Sequence, residues 1–237
     1  MHGRRRTFSV FLSAALVGAA VLFLQAINGK ATAARRWPAA ERSVVRTAIQ
    51  ADGYRIFKES GLWGAHVVHF GRHFHLMPYF PHERSEPVPF PIVTHDVRPL
   101  YEQGIDSHSW LFIANRNGLV RKVTAVLPDS DFREKVDAME SDVSFRAYRG
   151  GYRGYAYDMP REIYPVSNFA CPDEPVVVNV DAGAFVDGVR PEMLSAALQQ
   201  QCPDIRMLLL VDSTDNAAVT DEMREDLGRF QALVARR

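Results

Sequence analysis

The chain has 237 residues, 47% of them hydrophobic, which is enough apolar side chain to bury one sizeable core while exceeding an average domain only modestly. Lys plus Arg and Asp plus Glu number 28 each, and this balance removes the overall field that would draw nucleic acid or another strongly charged partner. No nucleic-acid partner is expected, and any ligand has to be read from local features.

Arg4, Arg5 and Arg6 form a basic start, followed by an uncharged run of Phe, Leu, Val and Ala over residues 7–28. Its length matches the roughly 20 residues a helix needs to cross a bilayer, whereas the apolar part of a cleaved signal is usually shorter. Residues 1–36 are therefore expected to be a membrane-spanning anchor, with a cleaved export signal as the alternative because Ala31-Thr32-Ala33 has the small-x-small form that signal peptidase accepts. Residues 37–237 are expected to form a single α/β domain on the extracytoplasmic side, anchored, or exported if the signal is cut. Cys171 and Cys202, each followed by Pro and Asp, either pair in an oxidising compartment or are two independent buried thiols.

After Arg36, the spacing of Val44, Val45, Ala48 and Ile49 predicts a first helix running toward Ile56, ended between Gly61 and Gly64. Strands are predicted over residues 65–70 and 90–94, then a helix over 107–117 stopped by Gly118. A strand over 120–127 leads through Pro128-Asp129-Ser130 into a helix reaching Met139. Glu174-Pro175 introduces a strand over 176–180, and a helix over 191–201 follows. The last unit is a strand over 205–211 and a helix over 220–234, with Met223, Leu227, Phe230 and Leu233 inward. Apolar, β-branched strands separated by helices imply a mainly parallel sheet with helices on both faces, a three-layer α/β architecture.

Ligands of such sheets gather beyond the carboxyl ends of the strands, where this chain has Thr94-His95-Asp96, Val180-Asp181-Ala182 and Val211-Asp212-Ser213. Each single Asp is equally at home starting a turn or capping a helix; three together point to a site. Apart from His2, every histidine lies between His66 and His108, and His69, His73 and His75 share strand parity. Imidazole and carboxylate suit zinc or manganese, so His95 or His108 with Asp96 and Asp181 form a candidate ligand set, with His95 and His108 also the candidate catalytic groups. No His-Glu-x-x-His motif is present, and hydrogen-bonded or surface histidines are the plainer reading.

The chain has no glycine-rich phosphate loop and no Gly-x-Ser-x-Gly elbow, which demotes nucleotide and ester chemistry. Residues 146–155 interleave Arg146, Arg149 and Arg153 with Tyr148, Tyr152 and Tyr155 around Gly150-Gly151. The pattern reads as a Gly-Gly hairpin with packed Tyr and solvated Arg; its other use is stacking on bases or sugars.

The order of these elements resembles an uncharacterised arginase-like family within the arginase and histone deacetylase fold, over roughly Trp63 to Leu233. The resemblance is carried by residues 64–70 with His75 to Tyr79, by Pro91-Ile92-Val93-Thr94-His95-Asp96, by Ser109-Trp110-Leu111 with Gly118-Leu119-Val120, by residues 123–128, and by Val178-Asn179-Val180-Asp181 with Phe185. It implies manganese or zinc held by Asp and His at strand ends, activating water against amide or guanidino carbon–nitrogen bonds. Asp96 and Asp181 stand where such ligands are expected. Departures follow at once, since Arg98 and Leu100 stand where a His and an Asp belong, and Gly183 replaces a second Asp. A guanidinium at Arg98 brings fixed positive charge to a cation site, and Gly183 has no side-chain ligand.

Two functions follow as expectations. One is a membrane-associated arginase-like domain without the usual dinuclear metal site, binding a small molecule or a protein, with Arg98 and Asp212 as ligand-binding candidates. The other is a metal-dependent hydrolase with a rearranged mononuclear site built from His95, Asp96, His108 and Asp181, in which bound water is the nucleophile and a His the general base.

Overall fold

A computed structural model describes residues 43–73, 105–107, 109–142, 144–156, 159–202 and 204–235. The expected anchor over residues 1–36, the strand over 90–94, and His75, His95, Asp96, Arg98 and His108 lie outside the described residues.

The described elements run β1 (Ser43–Thr47), α1 (Asp52–Glu59), β2 (Ala65–Phe70), α2 (Trp110–Arg116), β3 (Val120–Leu127), α3 (Asp129–Ser141), β4 (Phe145–Tyr148), β5 (Gly151–Ala156), β6 (Met159–Pro165), β7 (Val176–Asp181), α4 (Pro191–Gln201), β8 (Ile205–Val211) and α5 (Asp221–Ala235). They build one eight-stranded sheet of order β1-β8-β7-β2-β3-β6-β5-β4. The first six of these strands pair in parallel; β5 and β4 continue the sheet antiparallel as a hairpin. The mainly parallel α/β expectation is thus met.

Every residue of β2 and β7 is buried, as strands covered on both faces must be. One face carries α4 and α5, whose Leu194, Leu198, Leu227 and Phe230 pack on Val68, Val126, Val178 and Leu210. On the other, Met139, Phe132 and Val136 of α3 meet Ala125, Leu127 and Ile163. The crossovers from β1 to β2, β2 to β3 and β3 toward β6 all advance in one direction along the sheet, while β7 to β8 runs back. Right-handed connections then put the helices of the two runs on opposite faces.

Two corrections to the predicted elements have physical causes. The helix expected to run from the forties to Ile56 is instead the edge strand β1 followed by the short helix α1. Apolar residues at 44, 45, 48 and 49 satisfy a helical period, but parallel pairing of Ser43 to Thr47 with Met207 to Val211 decides for strand, which β-branched Val44, Val45 and Thr47 favour. The second is β6, absent from the predicted elements because Met159-Pro160-Arg161-Glu162-Ile163-Tyr164-Pro165 has Pro near both ends and two charges between. It is a strand because Glu162, buried, meets Lys122 on β3 and Arg153 on β5. In α5, Val234 rather than Leu233 completes the buried stripe with Leu227 and Phe230. Cys171, ahead of β7, and Cys202, at the end of α4, form a disulfide with their Cα atoms 5.2 Å apart.

Candidate functional site

Strand order reverses between β2 and β7, because the chain runs from β2 to β3 on one side of this boundary and from β7 to β8 on the other. In an open parallel sheet the carboxyl ends at such a reversal splay apart and leave a crevice for ligand. At this point β2 ends in Phe70-Gly71-Arg72 and β7 in Asp181-Ala182-Gly183, with the ends of β8 and β1 beside them.

Asp181 is the centre of the arrangement. Its Oδ2 accepts hydrogen bonds from Gln50 Nε2 and from the Ser213 hydroxyl, both at 2.6 Å, and its Oδ1 accepts from the Gly183 amide at 2.5 Å. Gln50 sits in the turn after β1 and Ser213 in the turn after β8, so one carboxylate ties together the ends of β1, β7 and β8. Asp181, Gln50 and Ser213 are all buried. Ser213 holds a left-handed backbone, φ 50°, which an L residue adopts at a cost and which aims its hydroxyl at Asp181. Gln50 Oε1 is buried and has no hydrogen-bond partner among the described residues, a costly state for an amide oxygen.

Next to Asp181, His69 of β2 is fully enclosed. Its Nε2 donates to the His73 carbonyl at 2.9 Å, and the Asn179 carboxamide oxygen lies 2.5 Å from Nδ1. Removal from water pushes the His69 pKa below its ordinary value, and this outweighs the Asp181 carboxylate, Asn179 and the His73 carbonyl, which favour the charged ring. Gly71 permits the packing, because a Cβ there would stand 2.7 Å from His69 Nε2 and 3.2 Å from Asp181 Cβ. Beyond it Arg72 makes a two-pronged ion pair with buried Asp131 of α3, at 2.9 and 3.2 Å, whose hydrogen bonds raise the arginine pKa further.

Of the residues singled out in the sequence, Asp181 is at this point and Asp212 is turned away from it. The Asp212 carboxylate takes the guanidinium of Arg46 on β1 through Nε at 3.1 and 3.2 Å, and its carbonyl accepts from Arg224. The neighbour Ser213 faces Asp181 instead. Ser213 and Asn179 were named only as neighbours of Asp212 and Asp181, and Gln50 not at all; it stands in a segment read as helix, and nothing in its local pattern marks it.

The manganese or zinc implied by the arginase resemblance can be tested against these groups. Among the described residues no three His, Cys, Asp or Glu side chains gather where one cation could be held. Hydrogen-bond donors converge on both oxygens of Asp181 and direct hydrogens toward the lone pairs a cation would need. A Cβ at position 183, where the resemblance expects a second Asp, would lie 2.9 Å from Asp181 Oδ1. Of the candidate metal ligands, Asp181 alone lies among the described residues, and both its oxygens accept hydrogen bonds.

A second polar cluster lies on the α4/α5 face. Thr124 donates its hydroxyl to His66 Nε2 at 2.8 Å, and His66 Nδ1 donates to Glu174 at 2.6 Å. The order hydroxyl, imidazole, carboxylate is that of a nucleophilic triad. Thr124 is completely buried, however, which leaves a substrate no approach, and the cluster is a satisfied core network. Burial pushes the His66 pKa down to about 4, outweighing the bond to Glu174; Lys122 and Arg121 add to the depression.

No family model and no curated protein matches the chain. Among solved structures, arginase from Medicago truncatula is similar, with 13% sequence identity, 81% of this chain covered and a TM-score of 0.44; the chain spans 58% of that arginase.

Proposed function

We propose that this chain is a membrane-anchored, extracytoplasmic domain of arginase-like ancestry that binds a polar ligand or a protein at the carboxyl ends of β2, β7 and β8, without a resident dinuclear metal. The observation that carries the reading is the set of donors on Asp181. Where a metal enzyme of this ancestry would keep a carboxylate open, this chain gives both oxygens to Gln50, Ser213 and Gly183. The buried, partnerless Gln50 Oε1 in the same place supports a ligand that brings an N–H or O–H donor.

The anchor rests on Arg4 to Arg6 and the apolar run over residues 7–28, since no helix among the described residues is long and apolar enough to cross a membrane. Pairing of both cysteines in one disulfide supports the oxidising side.

The test is the metal content of the full chain, purified in detergent without chelator, by inductively coupled plasma mass spectrometry on wild type and Asp181→Asn, with thermal melting before and after addition of Mn²⁺ or Zn²⁺. The expected result is folded protein with far less than one metal per chain and no metal-dependent rise in Tm. Near-stoichiometric metal lost in Asp181→Asn would overturn the reading. It would favour the metal-dependent hydrolase of amide or guanidino bonds, with His95, Asp96 and His108 as the further ligands.

A further inference from the structure

We propose that the face of the β4–β5 hairpin bearing Arg146, Tyr148, Arg149, Arg153 and Tyr155 binds an anionic polysaccharide. The register places these residues together. Val68, Thr124, Glu162, Arg153 and Arg146 follow one another across β2, β3, β6, β5 and β4, so they share the face on which α4 and α5 lie. The apolar cluster under those helices takes in residues of β2, β3, β7 and β8 and none of β4, β5 or β6. The helical cover therefore stops short of the hairpin, where Arg146, Arg149 and Tyr155 are exposed.

Two local rules of stability are broken here at once. Arg149 occupies the first left-handed position of the two-residue turn, φ 50°, followed by Gly150 at φ 76°; Gly or Asn suits such a position far better than a long side chain. Arg146 stands directly opposite Arg153 on the antiparallel pair, and like charges at that distance repel. Tyr155 leaves 61% of its surface in water. Conflicts between local preference and fold concentrate where function requires them.

The chemistry of the patch is coherent. Glu162 is shared by Lys122 and Arg153, and the guanidinium groups of Arg146 and Arg149 have no carboxylate partner among the described residues. Arg153 lies 3.5 Å and Arg149 5.2 Å from the centroid of the Tyr148 ring, so two guanidinium groups share one aromatic ring. A carboxylate or sulfate set among Arg146, Arg149 and Arg153 would accept charge-assisted bonds and cancel the repulsion between Arg146 and Arg153. Tyr155 points to the same side as Arg153, roughly 7 Å along the strand, and offers a flat apolar face to a neighbouring ring.

The local arrangement selects the polymer. Nucleic-acid affinity is built from many phosphate contacts along the backbone, more than the arginines of one hairpin supply. A bilayer surface needs apolar side chains to insert; the other exposed large apolar residues described, Val44, Trp63 and Met193, belong to β1, the approach to β2, and α4. A ring-bearing chain with repeated carboxylates or sulfates meets both the cations and the exposed ring.

The test is affinity electrophoresis of the full chain in detergent micelles through polygalacturonate, heparin or neutral dextran, for wild type and the double variant Arg146→Thr with Arg149→Gly. Both substitutions remove charge while relieving repulsion or backbone strain, so loss of binding is separable from loss of fold. Expected are salt-sensitive retardation of wild type by polygalacturonate or heparin but not dextran, and at least about tenfold weaker binding by the variant at an unchanged or higher Tm. No retardation of wild type, equal retardation of the variant, or a fall in the variant's Tm would overturn the proposal. So would tighter, variant-sensitive binding to a single-stranded oligonucleotide or to anionic vesicles.

Discussion

The end of the sheet around Asp181 and the edge formed by β4 and β5 use polar side chains in opposite ways. At the first, the groups are buried and most are closed on one another, so that one carboxylate binds three chain segments and Gln50 Oε1 is left over. At the second, cations are exposed and placed against one another, and a turn position is given to a residue that strains it. Buried polar networks are worth most when complete, because each lost partner leaves a desolvated group behind. An exposed patch can carry repulsion cheaply, because water and salt screen it. The Asp181 end is therefore predicted to be sensitive to substitution in stability, and the hairpin in binding.

Four measurements sharpen this contrast. The largest expected effect is on the core half, where the disulfide joins positions separated by 31 residues. Replacing Cys171 and Cys202 by Ser should cost about 3.5 kcal/mol in denaturant unfolding by the loop-entropy estimate. Next comes Asp181→Ala, which strands the Gln50 amide, the Ser213 hydroxyl and the Gly183 amide; roughly 3 kcal/mol should be lost in the same assay, and less in Asp181→Asn. A loss below about 1 kcal/mol would mean that the network does not hold the strand ends.

The third is a pH dependence. His66 is neutral in the fold with its pKa down at about 4, while the unfolded chain takes up a proton at its ordinary 6.5. Its contribution to stability is therefore complete above the unfolded value and is lost as pH falls from 6.5 toward 4, by up to roughly 3 kcal/mol. His66→Gln should lessen the fall in stability across that window, leaving the part due to His69, whose pKa burial also lowers. The smallest effect belongs to the hairpin. Arg149→Gly should raise stability by about 0.5–1 kcal/mol, because glycine adopts the left-handed turn position without strain. A loss of stability there would erase the distinction between the two regions.

Much of the architecture is legible in order along the chain. The runs at 65–70, 120–127 and 205–211 coincide with β2, β3 and β8, and the helix at 191–201 with α4, because buried parallel strands are continuous apolar runs bounded by turn residues. Gly150-Gly151 likewise announces the hairpin between β4 and β5. Asp181 is legible as a strand-end acid, while its partners are not. Gln50 and Ser213 are 131 and 32 residues away from it, and no local pattern relates them.

The sequence by itself determined the alternating α/β order, the apolar N-terminal run, the neutral charge balance and the absence of nucleotide and serine-hydrolase motifs, all properties of neighbouring residues and their periods. Tertiary structure alone decided that 43–47 is an edge strand, that a segment bounded by prolines is β6, that the two cysteines meet, and that Ser213 rather than Asp212 faces Asp181. Each of these depends on which strand lies beside which. That order is set by packing and crossover handedness across the whole sheet, and pairings between distant segments leave no mark on the residues next to them.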